Sequence, residues 1–244
     1  MSANVLPNRR DEAWKYSDLR AALAGEAPAM AGDGTVIERL AEGAGTLEHS
    51  KIAAGQSELV VQEVGSANFS VQADIIEVAE GGAYHRIVLQ TAGDVPLSSC
   101  RVRLGKGSTF RQFILGEGGK LARVETIVEA HGENADIELN GIYLAGSNRH
   151  VDLTSTIDMR APHGKANQLI KGVARKGGRG VFQGKIVVER AAQKTDARQY
   201  HKGMLLEEGA EIFAKPELMI YADDVQCAHG NTAGGLDERA LFYM

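Results

Sequence analysis

The sequence predicts an all-β core, preceded by a short helical segment and followed by the start of another. Three observations predict it. Apolar and polar residues alternate with a period of two over much of the chain. Glycines punctuate that alternation at short intervals, 29 of them in 244 residues, against only 5 prolines. No long helical stretch separates the glycines, which argues against βαβ units. Composition agrees with one sizeable globular domain or two small ones: 43% of residues are hydrophobic and 24% charged.

Taken in order, residues 8–24 read as a short helix. Asn8 stands in a capping position, and Asp11 and Glu12 occupy the first turn, where the helix dipole favours acids. Tyr16, Leu19 and Leu23 share one face, the pattern of a helix docked on a larger body. Trp14, the only tryptophan, lies within it. Residues 25–34, GEAPAMAGDG, form a linker of small residues with two closing glycines. Together these make an N-terminal unit, 1–34.

The unit 35–236 is the β core. In HVDLTSTIDMR, Val151, Leu153, Ser155, Ile157 and Met159 point one way, and His150, Asp152, Thr154, Thr156, Asp158 and Arg160 the other. ADIELNGIYL places Ile137, Leu139, Gly141 and Tyr143 together, and VFQGKIVVE does so with Phe182, Gly184, Ile186 and Val188. Such alternation means half-buried strands. Gly82, Gly93, Gly107, Gly119, Gly132, Gly146, Gly164 and Gly178 are the turn candidates. Two architectures fit: an antiparallel sandwich or barrel, or a β-helix of short stacked strands. Residues 237–244 carry Asp237 and Glu238 ahead of Ala240, Leu241 and Phe242, a helix start.

The formal net charge of −5 argues against a nucleic-acid surface, which needs cations to displace phosphate counterions. Two cysteines, Cys100 and Cys227, make no disulfide scaffold. The opening MSANVLPNRR has no apolar signal region, and no apolar run reaches the ~18 residues that span a bilayer. These features lead us to expect a reduced, cytoplasmic protein away from membranes.

Enzyme signatures are absent. None of the Gly-Lys pairs has the first glycine or the following Ser or Thr of a P-loop, and no HExxH or GxSxG occurs. RKGGRG reads as a solvated basic turn. In YADDVQCAHG, Cys227 and His229 are two apart, so a strand projects both to one face, with Asp223 and Val225 on that face and Asp224 opposite. A thiolate and an imidazole suit iron, zinc or copper, yet two ligands do not complete a site. His150 and His163 read as surface residues, His201 as a residue that orients a strand end, and His49, His85 and His131 as lacking local partners. Cys100, with Val102 and Leu104, reads as one buried strand face.

Three passages then carry a resemblance: RHVDLTSTIDMRAPHGKANQLIKGV, GRGVFQGKIVVERAAQKTDARQ and KPELMIYADDVQCAHGNTAGGLDERALFY. With FQGKI, AQKTDARQ and P-x-L-x-IYADDV-x-C-x-HG-x-T, residues 140–244 resemble the SufB/SufD family of iron–sulfur cluster assembly proteins, on the SufD side. EAWKYSDL is similar to a short N-terminal motif of that family, and residues 35–135 match only in β-rich, Gly-punctuated character.

The resemblance implies a right-handed parallel β-helix. It implies a non-catalytic subunit that pairs with a SufB-type scaffold through the β-helix ends, alongside a SufC-type ATPase. Sulfur arrives through SufB, and the SufD-like chain serves iron acquisition in de novo cluster formation. The family's C-x-HG element falls on Cys227, Ala228, His229 and Gly230. It makes His229 the first candidate and Cys227 the second for a metal or cluster site shared across two chains. SufB-like chains carry an acidic residue after this histidine; Gly230 here agrees with the SufD side and leaves the carboxylate to the partner. The family continues beyond FYM into helices that dock the ATPase, so the chain is expected to be C-terminally truncated, with weakened SufC docking. Flavin is associated with such complexes, but no motif marks a flavin site. Two alternatives stand beside this reading. One is a β-helix carbohydrate-active enzyme using Asp152, Asp158, Lys171 and Lys185, which read better as a solvated strand face. The other is a purely structural pairing module.

Overall fold

The computed structural model describes residues 6–26, 28–65, 67–91, 93–235 and 242. Its core is a parallel β-solenoid of fourteen strands. One sheet, sheet A, contains β1 (Thr46–Ile52), β3 (Phe69–Val78), β5 (Val95–Leu104), β7 (Ala122–Ala130), β9 (His150–Met159), β11 (Arg179–Val188) and β13 (Glu211–Ile220). Sheet B contains β2 (Ser57–Val64), β4 (Ala83–Gln90), β6 (Thr109–Gly116), β8 (Asp136–Ala145), β10 (Lys165–Ala174), β12 (Asp196–Leu205) and β14 (Gln226–Gly235). Strands alternate between sheets along the chain, and every neighbouring pair is parallel. That excludes the antiparallel sandwich and selects the β-helix. Each coil is one strand of each sheet plus two corners. Thr46 pairs with Gln72, 26 residues on, and Phe182 with Ala214, 32 on. The coils therefore lengthen toward the C-terminal end.

The candidate turn glycines fall at these corners. One corner stacks Gly55, Gly81, Gly107, Asn134, His163 and Lys194, all with φ between 58° and 67°. In each, the N–H donates to a carbonyl of the next coil, as from Gly81 to Lys106. Glycine adopts this left-handed conformation without a Cβ clash, whereas other residues meet a penalty of about 1 kcal/mol. The stacked bonds hold Asn134, His163 and Lys194 there regardless.

The expected alternation holds. Val151, Leu153, Ser155, Ile157 and Met159 are buried, as are Phe182, Gly184, Ile186 and Val188. The interior is a column of such residues, including Val102, Leu104, Phe110, Ile137 and Ile157.

Two expectations change. The single helix over 8–24 is a 3-10 turn at Glu12–Trp14 followed by α1 (Leu19–Ala22). Asp18 caps α1, its side chain accepting from the Ala21 N–H, and so divides the segment. The packing face is nevertheless used: Leu19 and Leu23 are buried and Tyr16 is half-buried, stacked on Phe213, with Trp14 buried beside them. The period-two region begins at Thr46 rather than at residue 35, because Val36–Ala44 forms α2. Thr35 and Glu38 close a reciprocal capping box, a T-x-x-E signature legible in the sequence. Ile37, Leu40 and Ala41 of α2 pack with Val71, Ala73 and Leu97 on the outer face of sheet A. No helix among the described residues is long and apolar enough to cross a membrane. The helix start expected over 237–244 lies outside the described residues apart from Phe242.

Candidate functional site

Cys227 and His229 lie on β14, the last strand of sheet B among the described residues. Its register sets Cys227 beside Ala197, His229 beside Gln199 and Asn231 beside His201. Ala197, Gln199 and His201 are fully buried inward-facing residues of β12. The pair therefore stands on the interior side of the solenoid, at the end that no further strand covers among the described residues. One face for both residues was expected, and the structure agrees. Asp223 and Asp224 do not continue the alternation: both lie in a bend before β14, where Asp224 pairs with Lys194.

The open end leaves His229 exposed, while Cys227 is half-buried against the core. Burial pushes the Cys227 thiol up, a backbone hydrogen bond at Ala197 pulls it down, and the nearby Asp196 carboxylate raises it. Metal must displace that proton before the sulfur can ligate. Among the described residues, no three His, Cys, Asp or Glu side chains gather to hold a metal ion. Two soft-to-borderline donors are present, and the rest of a coordination shell is not supplied by these residues.

One anchor ties β14 to the interior. His201 Nδ1 lies 2.8 Å from Asn231 Oδ1, and its Nε2 lies 3.0 Å from the Tyr143 hydroxyl. The amide oxygen only accepts, so Nδ1 carries the proton and Nε2 accepts from Tyr143. The ring also stacks on Phe182, centroids 5.1 Å apart. Burial lowers the His201 pKa, keeping the imidazole neutral. His201 thus does more than orient a strand end: it is an interior hydrogen-bonding residue. Sequence inspection missed this network because its hydrogen-bonded members lie 30 and 58 residues apart and meet only through coil stacking.

The remaining sequence candidates are dispersed. Cys100 is fully buried, and desolvation pushes its thiol up to about 11. His131 does find a carboxylate, Glu129, at 3.5 Å. His163 is exposed at its corner, as expected. His150 is not a free surface residue. It is half-buried, lies 3.1 Å from Ser17 Oγ, and is pushed down to about 4, chiefly by burial. Asp152 is fully buried, accepting from Ser17 and pairing with Arg123 at 3.0 Å. The N-terminal segment covers it: Trp14 lies 4.1 Å over the Arg123 guanidinium, and Arg123 donates to the Ala13 carbonyl. Asp158 pairs with Arg160, while Lys171 lies on sheet B, opposite Asp152, Asp158 and Lys185 on sheet A. The four do not form one constellation.

At the C-terminal end of the solenoid the edges of the two sheets differ in how they meet solvent. β13, the edge of sheet A, carries Lys215 and Pro216, residues that discourage strand pairing. β14 is ten residues long, has no Lys or Pro, and turns Gln226, Ala228, Gly230, Thr232 and Gly234 outward. Among the described residues nothing pairs with this edge, and a long unpaired edge is a template for another strand.

Comparison with known proteins bears on the same region. Residues 35–244 match the family described as SUF system FeS cluster assembly, SufBD core domain. An iron–sulfur cluster assembly SufBD family protein of Synechocystis is 34% identical over 148 residues, 61% of this chain and 33% of its own length. The iron–sulfur cluster assembly protein SufD of Escherichia coli is 35% identical over 132 residues, 54% of this chain and 31% of its own. The chloroplastic protein ABCI7 of Arabidopsis thaliana is 37% identical over 144 residues, 59% of this chain and 30% of its own. The chain thus spans about a third of the length of these relatives. With most of the chain matched and a solenoid whose strands carry the matching motifs, the protein belongs to the SufBD core family of the SUF iron–sulfur cluster assembly system.

Proposed function

We propose that this chain is a SufD-like, non-catalytic subunit of a cytoplasmic assembly complex. It pairs with a SufB-type scaffold, with a SufC-type ATPase as the third component. Cys227 and His229 supply ligands at the interface for iron acquisition and de novo cluster formation, the cluster being cargo shared with the partner. The observation that carries this reading is β14: an unprotected edge strand whose inward side presents a thiol and an imidazole at an open solenoid end. Strand addition along that edge covers both side chains and brings the partner's ligands to them. The small outward residues Ala228, Gly230, Thr232 and Gly234 leave room for a close approach.

The test is anaerobic co-expression with SufB- and SufC-type partners, pull-down, and iron and sulfide analysis. The expected result is a SufB-containing complex with iron and sulfide. His229→Ala should keep pairing and lower cluster yield at least about tenfold, since losing a ligand costs no less than the 10- to 100-fold loss of an outer-shell partner. Unchanged yield in His229→Ala would remove the site from the proposal. Full yield in a Cys227→Ser, His229→Ala double variant that still pairs would favour a purely structural module.

A further inference from the structure

We propose that Gln199 is a positioning residue for His229: its buried side-chain oxygen accepts the imidazole N–H and leaves the other ring nitrogen free to bind iron. This rests on the reading of His229 as an iron ligand.

The inward side of sheet B carries one stacked column: Arg86, Gln112, Leu139, Gln168, Gln199 and His229, each beside the next in the strand register. Neighbouring polar members bond to one another. Arg86 donates to Gln112 Oε1 at 2.8 Å, and Gln199 Nε2 donates to Gln168 Oε1 at 2.9 Å. The next inward position on the same two final strands joins His201 and Asn231 at 2.8 Å. That pair is a histidine on β12 bonded to an amide on β14. Gln199 and His229 are its mirror, an amide on β12 beside a histidine on β14. A strand spacing of about 4.8 Å lets such side chains meet.

Gln199 is fully buried, and its Oε1 is the one atom of its amide without a hydrogen-bond partner. The amide has no freedom to turn away. Its nitrogen is held by Gln168, which Ser155 holds in turn, and it lies so close against Gly184 that a Cβ there would overlap it. A buried acceptor left unpaired costs about 1–3 kcal/mol, so a donor is favoured. The register flanks Gln199 with Gln168, whose amide N–H already donates to Ser155 Oγ at 2.8 Å, and with His229, which leaves the imidazole as the donor on the other side. A ring N–H bonded to a carbonyl oxygen fixes the tautomer and points the second nitrogen outward, toward the open end, as outer partners do for metal-ligating histidines.

The test uses the whole chain labelled with nitrogen-15 at histidine, His229 being assigned by its loss in His229→Gln. Gln199→Met keeps the shape and removes the acceptor, and Gln168 Oε1 retains the Ser155 hydroxyl at 3.1 Å. Gln199→Glu keeps an acceptor. The other six of the seven histidines report an intact fold in each variant. Expected is one dominant His229 tautomer in the natural chain and in Gln199→Glu, and a mixture in Gln199→Met. Ferrous iron titrated anaerobically into the SufB-type complex should bind 10- to 100-fold more weakly with Gln199→Met than with either acceptor-bearing chain. A tautomer mixture in the natural chain, or one unchanged by Gln199→Met, would overturn the hydrogen bond while leaving the functional reading standing. A fixed tautomer combined with unaltered iron binding in His229→Ala would overturn the iron role together with that reading.

Discussion

Replacing Asp152 with Ala should loosen the N-terminal segment before it loosens the solenoid. The side chains of Asp152 and Arg123 are both wholly shielded from solvent and lie 3.0 Å apart. Asp152 also accepts from Ser17, while Arg123 lies beneath Trp14 and donates to the Ala13 carbonyl. The substitution leaves a buried guanidinium with Glu125 as its remaining carboxylate, at 3.1 Å. Breaking a buried pair costs about 3–5 kcal/mol, and the surviving Glu125 contact favours the lower end, about 3 kcal/mol. In urea this is a fall of about 1 M in midpoint for a slope near 3 kcal/mol/M. Trp14 is the only tryptophan, so its fluorescence reports the segment alone, while far-ultraviolet circular dichroism reports the coils. The fluorescence transition should move to lower urea and separate from the dichroism transition. Asp196→Ala, which removes an exposed pair with Arg198, should shift either by no more than about 1 kcal/mol. If Asp152→Ala behaved like Asp196→Ala, the buried pair would not be what holds the segment down.

Other outcomes follow from the same packing. His150 is depressed to about 4 by burial, against Asp152, which raises it, and Arg179, Arg9 and Arg123, which lower it. The folded state therefore refuses a proton that the unfolded state accepts below about 6.5, so this group's contribution is complete above that pH and is lost as pH falls toward 4. Between pH 7 and 5, His150→Gln should lose about 1–2 kcal/mol less stability than the natural chain, measured by urea midpoints; parallel losses would contradict the burial argument. A Cβ at Gly172 would overlap the buried Tyr143 ring, so Gly172→Ala should destabilise by about 1–3 kcal/mol or more in thermal or urea unfolding. A thiol reagent at pH 8 should label Cys227 in the native chain and reach Cys100 only on unfolding, since Cys100 is fully buried and pushed up to about 11. Rapid reaction of both would mean that the interior opens.

Some features were readable from neighbouring residues because they depend only on local alternation. The two faces of the strands at 136–145, 150–159 and 179–188 are of this kind, as is the shared face of Cys227 and His229. The capping box at Thr35 and Glu38 was equally local and should have marked α2. The status of Asp152 and His150 was not readable. Both sit on the outward face of β9, which pattern alone assigns to solvent, and they are covered because residues 12–17 fold across sheet A from more than 130 positions away. The Gln199–His229 and His201–Asn231 pairings were hidden for the same reason: their separation equals one coil, and coil length drifts from 26 to 32 residues.

The sequence by itself determined that the chain is β-rich, which residues face inward along each strand, and, through its motifs, the family to which it is similar. Periodicity left the choice between antiparallel and parallel stacking open, because a strand's two-residue alternation is identical in both. Only the tertiary structure decided which coils stack, which outward faces the N-terminal segment covers, and that β14 remains an unpaired edge among the described residues. Those outcomes depend on contacts between residues a full coil or more apart, and there the energy comes from burial and from hydrogen bonds that no local pattern encodes.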